Sequence, residues 1–129
     1  MQPVLDYLYN LTRFGIKLGL EEIIKLVGAL ENPQNKFKSI HIAGTNGKGS
    51  TACFIATILQ SAGYKVGLYT SPHLIRFNER IKINNKEISD SELVKFTKKL
   101  KEIVDKEKIQ TTFFEFTTAL AFEYFANQK

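Results

Sequence analysis

The sequence predicts an α/β fold: a parallel sheet with flanking helices and a small β-hairpin insertion. Three observations carry this. A short apolar run, 38–43, stops at Gly44, a glycine-rich loop with one lysine follows, and a helical pattern opens directly after it. A second apolar run, 65–70, lies one helix further on; strand, helix and strand within about 33 residues make a βαβ unit with a right-handed crossover. Finally, 80–83 and 86–88 alternate polar and apolar around Asn84-Asn85, two residues that tolerate positive φ, which predicts a hairpin.

The remaining elements are helical. Apolar groups at helical spacing over 4–11 predict a short N-terminal helix, and Gly15 and Gly19 bracket a loop. From Leu20, the positions Ile23, Ile24, Leu26, Val27 and Leu30 mark one apolar face, with Glu21 and Glu22 in the first turn, where the helix dipole favours them. The helix over 51–62 directs Phe54, Ile55, Ile58 and Leu59 at the sheet, and Cys53 within it reads as packing rather than chemistry. Ser89 with Glu92 forms a capping box for a helix running to about Lys108. An extended stretch over 111–115 precedes a last helix over 116–127, in which Ala119, Leu120, Phe122 and Phe125 are candidates for burial.

A chain of 129 residues, 43% hydrophobic and 24% charged with 8 Gly and 3 Pro, suits one domain with one core. The net charge of +5 comes from 18 basic and 13 acidic residues; arginine occurs only at 13, 76 and 80, and the lysines are spread. There is no basic stripe or recognisable module, so a nucleic-acid partner is not expected. No segment reaches the roughly 20 apolar residues of a membrane span, and the N-terminus lacks the pattern of a secretory signal. Cys53, the single cysteine, has no internal disulfide partner, which fits a reducing, cytoplasmic setting.

The loop at 44–50 decides the chemistry. Glycines let the backbone turn tightly, its N–H groups and the following helix N-terminus attract phosphate, and one lysine neutralises it. Here Lys48 would meet the β/γ oxygens, the N–H groups of Asn46 to Ser50 would line the anion, and Ser50 or Thr51 would add a hydroxyl. The strict pattern G-x-x-x-x-G-K-[ST] is not met, because Ile42 stands at its first glycine and Gly49 follows the lysine. Strand before and helix after still make this a P-loop NTPase-like arrangement.

The run Gly44-Thr45-Asn46-Gly47-Lys48-Gly49-Ser50, with its extra glycine between lysine and hydroxyl, resembles the loop of folylpolyglutamate synthase and dihydrofolate synthase, in the Mur ligase superfamily. A second motif, Thr70-Ser71-Pro72-His73-Leu74 followed by Arg76-Phe77-Asn78-Glu79-Arg80-Ile81, stands at the matching separation. Phe114-Glu115 and, more weakly, Leu18-Gly19-Leu20 also resemble family segments. The resemblance implies a Mur ligase central-domain fold and an ATP-dependent amide ligase. ATP would phosphorylate a carboxylate of folate or dihydropteroate, and the amine of L-glutamate would displace phosphate from the acyl phosphate. It implies ATP binding by Gly44 to Thr51, with Lys48 catalytic, and Mg²⁺ held by Ser71, which could equally be a plain turn residue before Pro72. Leu18, Gly19, Leu20, Thr112, Phe113 and Phe114 would line the pterin; read alone, Phe113 and Phe114 would be core. His73 and Glu115 would position. Arg76 and Arg80 would meet anions or pair with Glu79.

The family continues with further metal-binding and glycine-rich segments and a C-terminal glutamate-binding domain. Residues 1–129 are therefore expected to be the N-terminal portion of the ATP-binding domain, incomplete as a sheet, with the glutamate-binding domain absent and no catalysis alone. Two other classes remain: a stand-alone ATP- or folate-binding module, and another P-loop phosphotransferase. Whether the parent adds the first glutamate, later ones or both is not legible in these residues.

Overall fold

Pro3 in the first turn and a stripe of Val4, Leu8 and Leu11 start the chain as helix α1 (Gln2–Asn10), with all three stripe residues buried. The computed structural model describes residues 1–11, 20–43 and 46–128. The other elements are α2 (Glu21–Ala29), α3 (Lys48–Ser61), β1 (Gly67–Tyr69), β2 (Ile81–Ile83), β3 (Lys86–Glu87), α4 (Asp90–Glu107) and α5 (Phe113–Gln128), with short 3-10 turns at Pro33–Lys36 and Phe77–Arg80. They fall into two compact units, 1–37 with 90–128, and 38–89.

The first unit is helical and organised around α5. That helix is apolar on most sides, so it is stable only when surrounded; α1, α2, α4 and the Pro33–Lys36 turn all pack on it. Phe116, Ala119, Leu120 and Ala121 are fully buried, and Phe116 meets Tyr7 edge-on at 5.5 Å. Each such Leu or Phe contributes about 1.5–3 kcal/mol on burial. Phe122 and Phe125, both half-buried, lie 6.0 Å from the Phe37 ring. Glu123 is buried on the same helix and is met by the Lys99 ammonium of α4.

Helix α5 begins earlier than its sequence suggests. The stretch predicted as extended, 111–115, contains a Thr-x-x-Glu capping box. The Glu115 carboxylate accepts the Thr112 N–H at 2.9 Å, and the Glu115 N–H donates to Thr112 Oγ1 at 3.1 Å. Phe113 to Glu115 therefore form the first helical turn. Helices α1, α2 and α4 stand where periodicity placed them, but Ile24 on the expected apolar face of α2 is exposed while Leu26, Val27 and Leu30 are buried.

The second unit holds a three-stranded antiparallel sheet, β1-β2-β3. Gly67 pairs with Ile83 and Tyr69 with Ile81; Lys82 pairs with Glu87. The β2–β3 turn is Asn84-Asn85, both at positive φ (48° and 66°), as the hairpin requires. Asn84 also locks the sheet to the chain before β1, accepting the Val66 N–H on Oδ1 at 2.9 Å and donating its own N–H to Val66 O at 2.8 Å.

The parallel pairing predicted from the sequence is not found among the described residues. Residues 38–43 form no ladder there, and Ile40 is exposed. Hydrophobic runs become strands only when a neighbour takes their N–H and C=O groups, and β1 gives its edge to β2 in antiparallel sense. Helix α3 likewise packs on β1 without burying a residue: Ile55 and Leu59 are half-buried, Phe54 and Ile58 are 68% and 67% exposed, and Cys53 is exposed rather than packed. Among the described residues no helix is long and apolar enough to cross a membrane.

Candidate functional site

Gly44 and Thr45 lie outside the described residues; from Asn46 onward the loop can be followed. Gly47 is the N-cap of α3 at φ 70°, in the left-handed region that glycine enters freely, and its carbonyl accepts the Thr51 N–H at 3.0 Å. Neither a side-chain cap nor an acidic residue occupies that end of the helix. Among the described residues, the first-turn N–H groups of Lys48, Gly49 and Ser50 therefore have no carbonyl below them, and residues 46–51 are all exposed. Lys48 opens the helix, adding its charge to the positive end of the dipole. Asn46, Gly47, Lys48, Gly49, Ser50 and Thr51 thus come together as one anion-attracting turn.

In the same unit, the chain leaving β1 forms the second motif. Thr70 still belongs to the sheet, its N–H donating to Arg80 O at 3.0 Å. Ser71 follows, exposed, with a cis bond to Pro72. Leu74 and Ile75 are 91% and 85% exposed, so burial does not hold this segment. Polar groups do. Glu79 Oε1 accepts the Leu74 N–H at 2.9 Å, and its Oε2 accepts the N–H groups of Ile75 and Arg76 at 3.0 and 2.8 Å. These backbone bonds, led by those from Arg76 and Leu74, hold the Glu79 carboxyl below its usual range.

Beneath the turn, Phe77, Asn78 and Arg80 are buried. Asn78 Nδ2 donates to Ile88 O at 2.7 Å, tying the turn to the far end of the hairpin. Arg80 Nε donates to His73 Nδ1 at 2.7 Å, while its guanidinium lies 5.6 Å from the Phe77 ring centroid. Nδ1 being an acceptor, the neutral imidazole carries its proton on Nε2. Burial first, then the Arg80 charge, lower the His73 pKa, against a smaller opposing pull from Glu79. Arg76 reaches Glu87 of β3 at 3.5 Å. The Glu79 carboxylate is engaged by backbone N–H groups.

The candidate pterin-lining residues belong to the first unit. Leu18 and Gly19 lie outside the described residues; Leu20, the N-cap of α2, is exposed. Thr112 is buried and caps α5 with Glu115, and Phe113 stacks on Tyr9 at 5.9 Å and 22°. Phe114, 59% exposed, is the aromatic of this group that presents a face to solvent.

For a metal, the described residues contain no group of three or more His, Cys, Asp and Glu able to hold one. The Ser71 hydroxyl, exposed at the end of β1, fits magnesium in one way: as a single hard oxygen donor beside phosphate oxygens and water, a ligand set in which the protein contributes little. Sequence reasoning named Glu79 only as a partner for the arginines and gave no role to Asn78 or the buried Glu123. Glu79 stands three residues after Arg76, a capping spacing that a search beyond Ser and Thr N-caps would have caught.

No protein-family profile matches the chain. It is similar to the dihydrofolate synthase/folylpolyglutamate synthase of Bacillus subtilis, 44% identical over 129 residues, covering 97% of this chain and 30% of that protein. Its fold superposes on the crystal structure of folylpolyglutamate synthase from Thermotoga maritima with a TM-score of 0.91 and 45% identity, over 98% of this chain and 30% of that one. A complex of folylpolyglutamate synthase with AMPPCP and folate superposes at a TM-score of 0.89 with 38% identity, over 98% of this chain and 32% of that one. The chain thus spans about a third of the length of the proteins it matches.

Proposed function

We propose that the chain, which matches folylpolyglutamate synthase/dihydrofolate synthase relatives over 30% of a relative's length, is a part of an enzyme of that family and supplies the phosphate grip of an ATP-dependent ligase. The reaction joins L-glutamate to a folate, and in a bifunctional parent to dihydropteroate as well; relatives bear either or both names. The observation that carries this reading is the uncapped, exposed N-terminus of α3, with Lys48 at its start and Gly47 in the left-handed conformation. The solved complex with AMPPCP, an ATP analogue, supports the same assignment.

In the proposed reaction a carboxylate oxygen of the folate attacks the γ-phosphorus of ATP, and ADP leaves. The glutamate amine then attacks the acyl carbon, the C–O bond to phosphate breaks, and the nitrogen loses a proton. A carboxylate is a poor acyl donor until its oxygen becomes a leaving group. Bringing it beside polyanionic ATP requires compensation, for which Lys48 and the amides at Asn46 to Ser50 are suited. Ser71 would hold Mg²⁺ with the phosphate oxygens, and magnesium there would neutralise charge on the transferred group. Leu18 to Leu20 and Phe114, with Thr112 and Phe113, would receive the pterin. His73, neutral and held by Arg80, suits positioning better than proton abstraction.

Residues 38–43 and β1 would be strands of a larger parallel sheet of the Mur ligase central-domain type, its other strands supplied from outside residues 1–129. The exposed Ile40, Phe54 and Ile58 support this, as apolar groups that such strands would cover. The protein would act in the cytoplasm, in keeping with the free Cys53. ATP binding measured by calorimetry tests the grip: Lys48→Ala weakens affinity about tenfold or more, roughly the worth of one charge-assisted contact. Unchanged affinity would remove the lysine from this role. Residues 1–129 alone are expected to show no ATP- and glutamate-dependent folate elongation; turnover by them would overturn the assignment of glutamate binding to residues outside 1–129.

A further inference from the structure

We propose that Glu79 is a positioning residue for the proposed ligase: its carboxylate clamps the segment after Ser71 by gathering the N–H groups of Leu74, Ile75 and Arg76. This rests on the reading of Ser71 as the magnesium-side residue of the phosphate site. Side chains tie the segment at two points, His73 to Arg80 and Arg76 to Glu87, and the backbone between them is held by Glu79. Ser71, Pro72, Leu74, Ile75 and Arg76 are all exposed, and two large apolar side chains stand in water. Beyond the half-buried His73, little buried area opposes the backbone entropy of these exposed residues.

The clamp has a firm base. Glu79 belongs to the 3-10 turn Phe77–Arg80, whose Phe77, Asn78 and Arg80 are buried. Asn78 binds Ile88 O at 2.7 Å, and the Glu79 N–H closes the turn on Arg76 O at 3.0 Å. The carboxylate therefore projects from a fixed platform toward three amides. The titratable and charged groups near it are the neutral His73, bonded by Arg80, and Arg76, which meets Glu87. Both carboxylate oxygens are used: one takes Leu74, and the other takes Ile75 and Arg76. Glutamine cannot reproduce this, since it offers one acceptor oxygen and turns an NH₂ donor toward the remaining N–H groups. Glutamate at this position is thus required for its second oxygen, which holds Ile75 and Arg76, in the chain that follows Ser71, through backbone rather than through packing.

The test has two arms, both on the chain of 129 residues. In amide exchange followed by NMR, Glu79→Gln speeds exchange at Leu74, Ile75 and Arg76 at least tenfold. The sheet amides of Thr70, Asn84 and Ile88 stay within twofold, and Glu79→Asp recovers part of the protection. In calorimetry with ATP, Glu79→Gln lowers the gain in affinity produced by magnesium at least threefold and leaves magnesium-free affinity unchanged. Wild-type protection at all three amides in Glu79→Gln overturns the clamp. Lost protection with the full magnesium gain overturns the positioning role. Absence of ATP binding by the wild type defeats the ligase reading instead, while the exchange arm still judges the clamp.

Discussion

Arg80 donates its Nε–H to Nδ1 of His73 across 2.7 Å, from a side chain that is itself buried at the base of the loop. This contact selects the Nε2–H tautomer and fixes the ring. Arg80→Met removes the donor, and Nδ1 then competes for the proton. Imidazole nitrogen shifts are expected to move from a single Nε2–H form in the wild type toward a mixture in the variant. The lost bond, made by a charged donor, costs about 1.5–3 kcal/mol. A variant with an unmoved tautomer would show that something other than Arg80 orders the ring.

Gly47 sits at φ 70°, and a Cβ built there meets nothing within 4 Å. The penalty for Gly47→Ala is therefore conformational and not steric, about 1–2 kcal/mol for an L-residue in the left-handed region. A lower urea midpoint with unchanged slope is expected, with weaker ATP binding as the first-turn amides shift. Gly49 is helical and also has open space, so Gly49→Ala serves as the control that stabilises the helix or leaves it unchanged.

Thr112 and Glu115 satisfy each other at the start of α5. Thr112→Ala leaves the Glu115 N–H without its acceptor and removes the hydroxyl bond to the Glu115 carboxylate, and costs about 1 kcal/mol, within the range for helix caps. Thr112→Ser restores most of it, since the oxygen is retained. Thermal unfolding of the three proteins distinguishes a capping role from simple packing, for which Ser and Ala would behave alike.

Tyr7 is half-buried against Phe116, with the Lys101 ammonium 5.0 Å from its ring centroid. Burial first, and the charge of Asp105 second, push its pKa from 10.0 up to about 12. The folded state thus favours the protonated phenol: the associated stability is complete below pH 10 and is lost as pH rises through about 12. In an absorbance titration of phenolate, Tyr7 ionises late together with Tyr124, which burial and the charge of Glu92 also raise, and Tyr7→Phe deletes one of these late steps. Normal titration of all tyrosines would show that water reaches the Tyr7 hydroxyl.

Local rules carried far along this chain. The Asn84-Asn85 turn, the helices α1, α2 and α4, and the lysine-bearing loop before α3 were legible because each rests on contacts within a few residues. The start of α5 was misread because Thr111-Thr112-Phe113-Phe114 favours strands by residue type, whereas the Thr112–Glu115 bonds commit it to helix. The run 38–43 has strand composition without a partner among the described residues, and pairing is a property of two segments.

The chemistry proposed for the loop at 46–51 lay in the order of its residues: glycine for the turn, lysine for charge and hydroxyls beside it. Tertiary structure decided which groups hold the neighbouring segment still. That Glu79 faces three backbone amides and Arg80 faces His73 follows from where the buried Phe77 and Asn78 set the turn. Hydrogen bonds are directional and lapse within about an ångström of their optimum. Such partners depend on the positions of atoms, and residue type alone does not supply them.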